Sequence, residues 1–378
     1  MSRSIYIKTN QRIVVPGTKI IRRIITGAIL FLFWNAFGAC TKTQTSDSPP
    51  VAGGRTVIQI LRNSFNVSLF NAALNYTGLA DSLSGAGPYT IFAPDDAAFD
   101  SIGISTVAQI EAMDKARLTH LLKYHILYGQ KIALADIDKK PNNPFTNWDN
   151  LNLYISRPFD NTIFNNNDIT KFLSVNGDTV VQEDILATNG VVHTLKNVLK
   201  YETFHTCADF LNANPNYSTF VTALKNFNLF GQLQSSGPMT VFAPTNSAFT
   251  AAGIGPGDLS QLDTLHFIKL LFTPYICPRL RFFTTDLVDF VAPFNYYPPG
   301  NGFTISMSYG SIYPNPPLLY VGATGLDPVT HDFIPLNANV NNSGAYPNLV
   351  DIDNPAGNGV VQGINNLMSL PSFCAIHP

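Results

Sequence analysis

The sequence is short of charge. Only 13% of its 378 residues are Asp, Glu, Lys or Arg, about half the usual share of roughly 25%. Basic residues are scarcer still beyond the first 39 positions. Of the 23, six (Arg3, Lys8, Arg12, Lys19, Arg22 and Arg23) fall there with no acidic residue, leaving 17 against 25 acidic, a net charge of −8. With no basic stripe to override that balance, phosphate backbones are repelled and nucleic acid is excluded as a partner. The apolar run Ile24 to Phe37 has about 14 residues, short of the roughly 20 that span a bilayer. The four cysteines form no C-x-x-C pairs, and His205, His266, His331 and His377 lack ligand spacing, so no metal site is expected. No Gly-x-Ser-x-Gly elbow occurs, and no nucleophile comes with a base and an orienting group, so the chain reads as no enzyme.

What is present is apolar and turn-rich. Hydrophobic residues make up 45% and aromatics 12%, enough for packed cores, and the length suits two domains. Asn, Thr, Ser, Gly and Pro take the place of charge, a composition of β-strands joined by turns. At the N-terminus, Arg22-Arg23 precede the apolar run, and Phe37-Gly38-Ala39-Cys40 follows it. This predicts a secretory signal over residues 1–39. Small residues before a cysteine resemble the bacterial lipobox, which implies lipidation of Cys40. Residues 40–54 read as a flexible tether, and Thr41, where a retention signal would have Asp, favours the outer membrane. Of the remaining cysteines, Cys207, Cys277 and Cys374, either one pair forms a bridge, in any of three pairings, or all are buried thiols.

The chain repeats itself. Gly87-Pro88-Tyr-Thr-Ile-Phe-Ala-Pro-Asp-Asp-Ala-Ala-Phe99 returns as Gly237-Pro238-Met-Thr-Val-Phe-Ala-Pro-Thr-Asn-Ser-Ala-Phe249, 150 residues later and without a gap. Asn189-Gly190-Val191-Val192-His193 returns as Asn358-Gly359-Val360-Val361-Gln362. A period this long belongs to whole globular domains and not to a solenoid. The expected units are residues 55–202 and 203–378, the second with a Tyr/Pro/Asn-rich insertion at about 281–357.

Within a copy, Leu69, Phe70, Ala73 and Leu74 recur at helical spacing before Gly78. Tyr89 to Ala93 reads as a buried strand, and Asp95 as the N-cap of the turn that follows. Residues 116–127 predict a helix running into a strand. Leu151, Leu153 and Ile155 alternate as a strand does, and Asn176-Gly177 between apolar arms is a hairpin signal. Helices followed by strands argue an α+β class.

At these residues the sequence resembles the fasciclin domain family. Thr90 to Phe99 and Asn189 to Leu195 match its two signature blocks, and Tyr124-His125-Ile126-Leu127 matches its tyrosine–histidine motif. The resemblance implies two tandem domains, each a wedge-shaped small β-sandwich of short twisted strands with several helices packed on it. It also implies adhesion or binding, with no cofactor. The second copy departs, placing Pro274-Tyr275 at the motif and Gln362 at His193.

Two groups of residues are candidates for binding. Tyr124 and His125 either form an adhesive surface or lie inside, bonding backbone groups at a helix–strand junction. Tyr296, Tyr297 and Tyr313 either stand exposed for a glycan or peptide or alternate inward as strand residues. Asp95-Asp96 is read as helix capping, because Thr245-Asn246 can also cap but cannot do acid–base work. The expected role is a non-enzymatic cell-envelope adhesion or binding lipoprotein of the outer membrane, with an envelope or extracellular protein or glycan as partner. The alternative is an accessory glycan- or peptide-binding lipoprotein of an outer-membrane nutrient-uptake system.

Overall fold

The computed structural model describes residues 54–157, 173–262, 271–289, 294–296, 303–310, 318–326, 333–335 and 349–368, with backbone alone for 287–289 and for the strands between 294 and 335. The signal segment, Cys40 and its tether, Tyr297, Tyr313 and Cys374 lie outside these residues.

The first copy begins with α1 (Val57–Asn63), started by Thr56 and Gln59 as a reciprocal capping box. Then come α2 (Ser68–Thr77), ended by Gly78 in the left-handed conformation, and α3 (Leu79–Leu83). Strand β1 (Tyr89–Pro94) is buried along its whole length. Asp95 caps α4 (Asp96–Ser101), α5 (Val107–Glu111) follows, and α6 (Lys115–Tyr124) runs directly into β2 (Ile126–Tyr128). The remaining strands are β3 (Asn143–Thr146), β4 (Asn152–Ser156), β5 (Ser174–Val175), β6 (Asp178–Ala187) and β7 (Gly190–Leu195).

These strands lie in the order β2-β1-β7-β6-β5-β4-β3, with β1 and β7 parallel and every other pair antiparallel. Because side chains alternate along a strand, β1 feeds two cores. Ile91 and Ala93 join the helices at Phe70, Leu74 and Leu118, while Phe92 joins Leu127, Leu153, Ile155 and Leu195. The Asn176-Gly177 turn has φ of 49° and 84°, the pair of left-handed residues a type I′ hairpin requires. Where β1 meets β7 the backbones approach so closely that a Cβ on Gly190 would lie 2.1 Å from the Tyr89 carbonyl oxygen.

The second copy repeats the plan. It has α7 (Cys207–Ala213), α8 (Ser218–Asn226), β8 (Met239–Pro244), α9 (Asn246–Ala251) and β9 (Ile276–Pro278). After α10 (Thr284–Asp289) come β10 (Phe294–Tyr296), β11 (Phe303–Gly310), β12 (Leu318–Leu326) and β13 (Phe333–Pro335), a four-stranded antiparallel sheet inside the stretch read as an insertion. The copy closes with β14 (Leu349–Ala356) and β15 (Gly359–Ile364), in the order β14-β15-β8-β9. Its core, from Cys207 to Met368, shares no residue with those of the first copy. Each copy therefore buries its own apolar interior, and the α+β tandem is what the repeat implied.

Candidate functional site

The end of α6 carries Tyr124 and His125 inward, where they are 0% and 1% exposed. The reading of this pair as an adhesive surface is thereby corrected, since neither ring reaches solvent. Their polar atoms are committed inside. The Leu199 amide donates to His125 Nε2 (3.0 Å), which fixes the tautomer, so Nδ1 donates to the Leu121 carbonyl (2.8 Å). Burial lowers the imidazole pKa to about 4. The Tyr124 hydroxyl accepts from Asn176 Nδ2 (2.8 Å), and burial raises its pKa.

His193, on β7, is held the same way. Strand β6 is irregular at Asp184, whose φ is 54°, and the amide freed from the ladder donates to His193 Nδ1 (3.2 Å). Nε2 then donates to the Ile132 carbonyl (3.0 Å). In the second copy β14 carries the same irregularity at Asp353, also at φ 54°. There the Asp353 amide donates to Gln362 Oε1 (2.8 Å), and Gln362 Nε2 donates to the Phe282 carbonyl (3.0 Å). An uncharged imidazole offers one donor and one acceptor; a carboxamide supplies both and a second N–H, which in Gln362 goes to Asp353 Oδ1 (2.7 Å). The substitution keeps both bonds. Likewise Tyr275, at the place of His125, accepts from the Met368 amide (2.7 Å), as His125 does from Leu199.

The paired carboxylates serve as caps. Asp95 accepts from the Ala98 amide and Asp96 from that of Leu69; Thr245 and Asn246 do the same for Ala248 and Thr219. Cys207 and Cys277 are buried free thiols, and burial pushes Cys207 up to about 12. Among the described residues no group of three or more His, Cys, Asp or Glu is placed to hold a metal. Tyr296 sits on β10, an outer strand of the four-stranded sheet.

The structure also brings together residues that no sequence pattern pointed to, where the two copies meet. Asp286 of the second copy accepts from Ser156 Oγ (2.6 Å) and Asn142 Nδ2 (3.1 Å) of the first, and from its own Phe283 amide (2.9 Å). Asn142 Nδ2 also donates to the Arg281 carbonyl (2.7 Å), and Thr285 bonds Ser174. The Arg281 guanidinium lies 4.0 Å above the Tyr154 ring and donates to the Gly359 carbonyl (2.8 Å). Lys200, in the connecting segment, reaches the Ile352 carbonyl (2.6 Å) and Asn354 (2.8 Å). Burial, with Asp353 adding like charge, raises Asp286 to about 6. The partners stand 111 to 154 residues apart in the chain, so neither copy read alone carries a signal for them.

Comparison with known proteins gives one picture. The fasciclin domain profile matches residues 65–201 and 215–312. Human periostin is 28% identical over 171 residues, 45% of this chain and 19% of periostin. The pig transforming growth factor-beta-induced protein ig-h3 is 29% identical over 154 residues, 40% of this chain and 20% of that protein. The Synechocystis protein sll1735 is 26% identical over 148 residues, 38% of this chain and 96% of that protein. The chain thus spans about a fifth of each of the two animal relatives. Among solved structures, the FAS1 domain pair of the insect cell adhesion molecule Fasciclin I aligns with 80% of this chain and 95% of its own, at 18% identity and a TM-score of 0.35.

Proposed function

We propose, on the premise that this chain belongs to the fasciclin domain family, that it is a non-enzymatic adhesion or binding protein of the cell envelope. Fasciclin domains are generally adhesion or binding modules, and here two stand in tandem. One observation carries the reading. His125 of the tyrosine–histidine motif and His193 of the closing signature block are buried and tied to backbone groups, so these residues build a scaffold and leave binding to the outer faces. Nothing in the arrangement points to catalysis. Both imidazoles are uncharged, with each ring nitrogen already bonded, and cannot relay a proton.

On this reading the chain is an outer-membrane lipoprotein tethered through a lipidated Cys40, and the lipobox and its polar tether support it. The partner is an extracellular or envelope protein or glycan, with Tyr296, Tyr297 and Tyr313 as candidate contacts. The anchor is tested by mass spectrometry of the mature chain, expected to show an acylated N-terminal Cys40; an intact Met1 refutes it. Binding is tested with the purified chain on whole cells and a glycan array. Loss of binding on triple replacement of the tyrosines by Ala supports them as contacts, and unchanged binding by a folded variant removes them.

A further inference from the structure

Within the tyrosine–histidine motif the two residues have different fates in the second copy. The role of His125 survives, since Tyr275 takes over its bond to the chain leaving the domain. The role of Tyr124 does not, because Pro274 stands in its place and has no hydroxyl. Position 125 is therefore common to both copies. Position 124 serves the first copy alone, and the hairpin of that copy bears on the other domain.

The Tyr124 hydroxyl accepts from Asn176 Nδ2 (2.8 Å). Asn176 in turn accepts from the Tyr154 amide through Oδ1 (2.8 Å) and donates its own amide to the Tyr154 carbonyl (2.9 Å). One buried side chain thus ties the tip of the β5–β6 hairpin both to α6 and to β4. Tyr154, which it holds, and Gly177, its neighbour in the turn, are among the residues that touch the second copy. Gly177 lies so close to Asp353 that a Cβ there would be 2.5 Å from the carboxyl carbon. The Tyr154 ring lies under Arg281 and 6.3 Å from the ring of Phe283. The connecting segment leans on the same tyrosine, since Tyr201 packs edge-on against the Tyr124 ring at 5.2 Å and donates its hydroxyl to Asp149 (2.5 Å).

We propose that the Tyr124 hydroxyl and the Asn176 carboxamide are positioning residues for the second domain, holding the hairpin tip in the one place where Gly177 and Tyr154 seat Asp353 and Arg281. The tyrosine of the motif then sets the angle between the copies, and with it the spacing of whatever their outer faces bind. This role requires neither the lipid anchor nor a particular ligand.

The test uses the full chain with Tyr124→Phe, which keeps the ring and removes the hydroxyl. Hydrogen exchange at the amides of 283–286 and 353–354, all in the other domain, should accelerate roughly fivefold to tenfold, as loss of one buried hydrogen bond allows. The largest dimension in small-angle X-ray scattering should grow. Exchange in β1 and β8 should stay at the wild-type rate. Asn176→Gly, which tolerates the φ of 49°, should give the same pattern, and the double variant should add little. Tyr275→Phe is the counterpart. It should loosen the chain around Met368 and leave 283–286 protected. A purely local role for Tyr124 would speed exchange in α6 and the hairpin only. If Tyr124→Phe leaves the second domain's exchange and the scattering unchanged, the proposal is wrong; if that variant does not fold, Asn176→Gly decides by the same readouts.

Discussion

Replacing His193 by Gln should leave the first domain close to wild-type stability, while replacing it by Ala should be severe. The second copy has already made the first exchange at Gln362 and keeps both bonds. Alanine keeps neither. It strands the Asp184 amide and the Ile132 carbonyl, and each unsatisfied buried group costs about 1–3 kcal/mol. It also removes the ring stacked on Phe92 at 5.2 Å, a contact of about 0.5–1.5 kcal/mol. The sum is roughly 2.5–7.5 kcal/mol. At about 2–4 °C per kcal/mol for a domain of this size, the first transition should fall by about 5–30 °C. Scanning calorimetry of the full chain resolves this, because the second domain's transition serves as an internal reference. The pH dependence gives a second sign. Burial lowers the folded-state pKa of His193, so below the ordinary value near 6.5 the unfolded chain takes up a proton that the native ring refuses. That share of stability is complete above pH 6.5 and is lost as pH falls. His193→Gln has no such proton, and its stability relative to wild type should rise between pH 7 and pH 5. Equal destabilisation by Gln and Ala would mean that the two bonds at this position do not hold the strand.

The same linkage applies to His125, whose folded pKa is about 4. Acidification from pH 7 to 5 should remove about 2 kcal/mol through this group, measured as the difference in urea unfolding between wild type and a variant lacking the imidazole. Tyr275→Phe strands the Met368 amide and should lower only the second domain's transition, by about 1–3 kcal/mol; calorimetry showing the first transition moving instead would contradict it. Gly190→Ala should abolish folding of the first domain or cost several kcal/mol, since its Cβ would lie 2.1 Å from a backbone oxygen; far-UV circular dichroism reads the outcome. Asp96→Asn should change stability by less than about 0.5 kcal/mol, because Asn246 performs the same capping in the second copy.

Much of this protein was legible in its sequence because much of it is local. Asp95 and Thr245 cap their helices through bonds spanning three residues. Asn176-Gly177 turns its hairpin through two left-handed residues. The gapless 150-residue offset returns as matching strands and bonds: Thr90 accepts from the Ile132 amide as Thr240 does from Phe282. What a single copy must do to fold was written twice, and the second writing showed which residue types are interchangeable.

Where Tyr124 and His125 point was not legible. A tyrosine and a histidine at a helix end suit an exposed contact as well as a buried tie, and the choice depends on Leu199 and Asn176, more than 50 residues away, arriving with a donor. The joint between the copies is further from sequence still. Asp286, Arg281, Ser156 and Asn142 are ordinary polar residues of a low-charge chain until the two domains close on them. Periodicity and caps report a residue's neighbours along the chain. Burial, and the pairing that makes a buried polar group tolerable, are settled by whichever distant segment comes to cover it.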